Sequence, residues 1–69
     1  MLTEEQSMKK MEINSRIICQ LANLNAPTWV RPSMIWDDRW LFSIYSMNEI
    51  EKEIDIKIRM CIPREEETA

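Results

Sequence analysis

The sequence contains no histidine and no glycine, and only two cysteines in 69 residues. Without His there is no Ser/His/Asp triad and no Cys/His zinc set, and without Gly there is no Gly-rich phosphate cradle. Most enzyme classes drop out, and no catalytic centre, cofactor or metal is expected. A chain this short buries only about 60% of the surface its unfolded form exposes, so it holds one domain and no deep pocket. Cys19 and Cys61 lie far apart, whereas a small secreted domain is usually stapled by several bridges, so a reduced, cytoplasmic setting is expected. The opening MLTEEQSMKK carries acids and no apolar run, unlike a signal peptide, and no segment approaches the roughly 18 apolar residues of a membrane span.

What is present is ordinary globular usage: 45% apolar and 30% charged residues, enough to fold with little stability to spare. Six Met and three Trp give a small core bulky filler, with the Trp residues expected mostly inside. The net charge of -3 is unevenly spread. Between Gln6 and Arg39 the cations Lys9, Lys10, Arg16, Arg31 and Arg39 outnumber Glu12, Asp37 and Asp38, and the excess of acid lies outside that stretch.

Thr3 can cap a helix with Gln6 reaching back to it, and Leu2 stands where a hydrophobic staple belongs. Asn14 is a second capping residue. Ile13 before it and Ile17, Ile18, Leu21 and Leu24 after it predict two short helices, about Glu4 to Met11 and Ser15 to Leu24, joined by a turn at residues 12–14. One unbroken helix from Glu4 to Leu24 is the alternative. Asn25-Ala26-Pro27 ends this part. Thr28 to Trp36 and Trp40 to Tyr45 are β-prone and flank the polar Asp37-Asp38-Arg39, which predicts a two-stranded hairpin with Pro32 at an edge or bulge. From Met47 to Ile62 the apolar residues fit either a strand or a helix. The Ser46/Glu49 cap, early acids and late Lys57 and Arg59 decide for helix, which Pro63 stops. The domain therefore spans 1–63, with a flexible acidic tail over 64–69.

Helix, turn, helix, hairpin, helix is the order of a small winged helix-turn-helix, an α+β fold. The stretch from Met8 to Leu21 resembles the helix-turn-helix of phage excisionases and the related AlpA and MerR-like regulators. Arg39-Trp40-Leu41-Phe42 and Met47 to Ile54 resemble that family's second wing strand and closing helix. The resemblance implies a non-enzymatic DNA-binding accessory protein of a phage or mobile element, acting in recombination or transcription regulation. Its second helix would enter the major groove of double-stranded DNA, with Ser15, Arg16, Gln20 and Asn23 outward and Ile18 and Leu21 turned in toward Met11, Ile50 and Ile54. Arg16 and Gln20 suit guanine and adenine edges. Lys9, Lys10 and Arg31 would hold phosphate, and Arg39 would enter a minor groove beside the wing. Cooperative self-association and a recombinase or integrase partner also come with the resemblance.

A competing expectation uses the same shortness and acidity. It is a small phage-type inhibitor or interaction protein that binds a host protein complex through a Trp-rich hairpin or an acidic helix.

Overall fold

A computed structural model describes residues 2–62, and among them the only regular elements are helical. Helix α1 runs without interruption over Glu4–Asn23. The one-turn helix α2 covers Pro32–Ile35, a 3-10 turn covers Asp38–Leu41, and helix α3 covers Met47–Cys61. The α+β winged helix-turn-helix is therefore not the fold. The described residues contain neither a turn at 12–14 nor a hairpin.

The unbroken rod has a simple cause. No Gly or Pro interrupts residues 4–23, and Ile13 and Ile17, four residues apart on one helix face, are both fully buried. A break at Asn14 would separate them, whereas an exposed Asn inside a helix costs only a few tenths of a kcal/mol in propensity. The expected start is present. Thr3 Oγ1 accepts from the Gln6 N–H and Gln6 Oε1 accepts from the Thr3 N–H, both at 3.1 Å. Leu2 is exposed and Ser7, not an apolar residue, stands at the staple's second position, so no staple forms. At the far end Asn25 has φ 51°, and the Ala26 and Asn25 N–H groups donate to the Leu21 and Ala22 carbonyls. In a chain without Gly, Asn takes the left-handed position that closes a helix.

The residues expected as a hairpin pack as irregular turns. Pro32 does not sit on a strand edge; it opens α2, where its missing N–H costs nothing, and Arg31 before it is extended. Asp37 does not sit at a wing tip; it caps the 3-10 turn by accepting from the Arg39 N–H at 2.9 Å. Trp36 and Trp40, one turn apart in sequence, meet edge to face with centroids 6.2 Å apart. Helix α3 forms as expected, with Ser46 Oγ accepting from the Glu49 N–H at 3.2 Å. Pro63 and the 64–69 tail lie outside the described residues.

Contacts fix how the long helices lie. Arg16 pairs with Glu51, Gln20 with Asp55, and Lys9 reaches the carbonyl of Tyr45 just before α3. The numbering rises together on both sides, so α1 and α3 run side by side in the same direction, and residues 24–46 return along them. The core between them is Ile13 and Ile17 of α1, Ile50, Ile54 and Ile58 of α3, and Val30, Ile35 and Trp40 of the connection. Ile17, not Ile18, points inward, and Met11 points away from Ile50 and Ile54.

Candidate functional site

The helix contact explains the fate of the residues expected to read DNA. Arg16 is paired with Glu51 across the seam and lies 3.7 Å from Glu12 within α1. Gln20 Nε2 donates to Asp55 at 3.4 Å, and Asn23 donates to Gln20 at 3.2 Å. These three side chains thus form one polar seam with α3. Ser15 stays exposed on a different face of α1, so the four do not converge on one reading surface.

The residues expected to hold phosphate are likewise scattered. Lys9 Nζ donates to the Phe42 and Tyr45 carbonyls at 3.0 Å each, which ties the connection to α1. Lys10 Nζ lies 5.9 Å from the Trp36 ring centroid, a cation-π distance. Arg39 is bound to Asp37 at 2.7 Å. Arg31 is exposed and has no ion pair among the described residues.

A shallow, open groove along the seam is lined by Gln20, Asn48, Glu51, Lys52, Asp55 and Ile56. Its carboxylates are engaged, Glu51 by Arg16 and Asp55 by Arg59 at 2.9 Å. No group of three or more His, Cys, Asp or Glu among the described residues could hold a metal ion. Asp37 is the polar hub of the connection. The Arg39 side chain, then the Arg39 N–H, hold its carboxyl well below the usual range, with Lys57 adding to the effect. It is a structural anchor, since every group around it is already spoken for.

The feature the sequence reading missed is the outward face of α1. An amphipathic helix is normally most polar directly opposite its buried stripe. Here that position carries Met8, Met11, Ser15, Ile18 and Ala22, at alternating spacings of three and four. Met8 is 66%, Met11 71% and Ile18 55% exposed. Cys19 borders the same face and is also exposed. Between Ser7 and Ala22 this strip contains no charged residue, and Glu12 and Arg16 lie to one side of it. The spacing is visible in the sequence, but a break at 12–14 assigns Met11 and Ile18 to the interior. The connection adds Trp29, Met34, Phe42 and Ile44 to the exposed large apolar residues.

No described helix is long and apolar enough to cross a membrane. No protein-family model matches the chain, and no match was found among curated proteins or solved structures.

Proposed function

We propose that this is a non-enzymatic interaction module that binds protein through the apolar outer face of α1. The observation that carries it is the uncharged strip of Met8, Met11, Ser15, Ile18 and Ala22 where solvent contact would favour charge. Duplex DNA is a poor match to that strip, because non-specific affinity for DNA comes from cations that neutralise phosphate. Of the cations nominated for DNA, Lys9, Arg16 and Arg39 are held by partners within the molecule. The recombinase partner and the promoter role came with a winged fold that the chain does not have.

A photo-cross-linking amino acid placed at Met11, with one at Lys52 as control, tests the proposal in the protein's own host. Position 11 is expected to yield a discrete protein adduct and position 52 none. In parallel, micromolar protein at low salt is expected to leave duplex DNA unretarded. Retardation that falls steeply with ionic strength and disappears in Arg16→Ala would favour the nucleic-acid reading instead.

A further inference from the structure

We infer that the occupant of the α1 outer face is a second copy of this chain, paired with its α1 antiparallel to the first. The inference rests on the interaction-module reading above and names its partner. The spacing of Met8, Met11, Ser15, Ile18 and Ala22 is that of a helix-pairing seam, in which residues three and four apart repeat along one face. A groove for an extended peptide would need no such periodicity.

Other occupants fit less well on chemistry. Among residues 63–69 the apolar ones are a proline and an alanine, and four of the seven are charged. An anionic membrane surface holds an interfacial helix through Lys and Arg that flank its apolar face, and the strip lacks them. A second copy brings an identical uncharged strip and removes both from water at once, as a self-complementary two-fold interface does.

Size and charge select the antiparallel arrangement. In one register Met11 of each copy falls opposite Ala22 of the other, and Ile18 opposite Ser15, so each of these layers sets a large side chain against a small one, while Met8 overhangs the end of the other copy's α1. A parallel pair would stack Met11 on Met11 and Ile18 on Ile18, leave Ser15 against Ser15, and place the acidic starts, Glu4 and Glu5, side by side. The antiparallel pair holds those four carboxylates far apart along the helix axis. The paired stretch, positions 11–22, is about 18 Å long and one helix wide, so the pair buries somewhat under about 1,000 Å² in total, the size of a weak, transient interface. A seam this small makes a weak, concentration-dependent dimer.

Sedimentation equilibrium on the full chain provides the test. The mass is expected to rise from 8.3 kDa toward twice that value with concentration across the micromolar range. Ile18→Glu should raise the dissociation constant at least about a hundredfold, since it buries an unpaired charge in the seam. Ile56→Glu, on α3 and away from the α1 strip, should leave it unchanged. Far-UV circular dichroism should be the same for all three, because Ile18 and Ile56 are exposed in the single molecule. Spin labels at Ser7, in a chain whose two native cysteines are replaced, should lie roughly a helix length apart; a short separation means a parallel pair and overturns the arrangement. A monomer at every concentration, or a dimer indifferent to Ile18→Glu, overturns the inference. If position 11 still cross-links a different protein, the interaction-module reading survives that failure.

Discussion

Lys57 of α3 places its ammonium 5.0 Å from the centroid of the Trp40 ring and 3.4 Å from an Asp37 carboxylate oxygen. One side chain thereby holds the buried indole and the cap of the 3-10 turn against α3. Two attractions of different kind converge there, a ring quadrupole and a carboxylate.

That anchor makes stability sensitive to acid. Asp37 is held below its ordinary value of 3.8, so on acidification the unfolded chain takes up the proton before the folded one. Its contribution is therefore complete above about pH 4 and is lost as the pH falls further. Asp37→Asn is expected to lower the thermal midpoint at neutral pH and to flatten its decline in acid. Midpoints by circular dichroism at neutral pH and at about pH 3 decide it, with Asp37's ordinary value between them. Equal acid losses in the two proteins would assign the dependence to other carboxylates.

The adjacent residues Ile17 and Ile18 are expected to respond to the same change with losses of different size. Ile17 is fully buried and Ile18 is 55% exposed. Ile17→Val should cost about 1 kcal/mol, and Ile18→Val less than about 0.5 kcal/mol, at concentrations where the protein is monomeric. Urea unfolding of the two variants measures both. A larger loss at Ile18 would rotate α1 and contradict the core described here.

The same pair shows how far the sequence could be read. Thr3/Gln6, Ser46 and the charge order of α3 placed helix ends correctly, because caps act within a few residues and need no tertiary context. Ile54 to Ile62 fits a strand as well as a helix, and the cap and the charge order favour the helix, which the structure shows over Met47–Cys61. At Asn14 the local signal misled: capping chemistry is available there, but burial of Ile13 and Ile17 on one stripe outweighs it. The β-prone run from Thr28 to Tyr45 has no partner strand among the described residues, and Pro32 and Asp37 turn it into short helical caps instead. The candidate face on α1 was hidden by the assumption of a break, since only a continuous helix lines Met8 up with Ala22.

Asn25 is expected to be replaceable by glycine and not by a β-branched residue. Its φ of 51° is tolerated by Asn and free for Gly. Asn25→Gly should leave stability within about 0.5 kcal/mol, while Asn25→Val should lose about 1 kcal/mol or more. Denaturant midpoints distinguish them, and equal losses would mean that the left-handed closure of α1 does not persist in solution.

Arg16 separates structural from nucleic-acid roles most directly. Its guanidinium joins Glu12 and Glu51, but all three side chains are more than a third exposed, so the pairing is screened and worth at most about 1 kcal/mol. Arg16→Ala is expected to lower stability by no more than that, with the difference shrinking as salt is added. Arg16→Met keeps much of the stem's packing while removing the charge, and should show the same salt dependence with a smaller loss at high salt. Both follow from a side chain whose partners lie within the molecule. A variant whose unfolding is unchanged at low salt, but which abolishes retention of duplex DNA by the parent protein, would show that the guanidinium faces outward in solution and is spent on phosphate or a base edge.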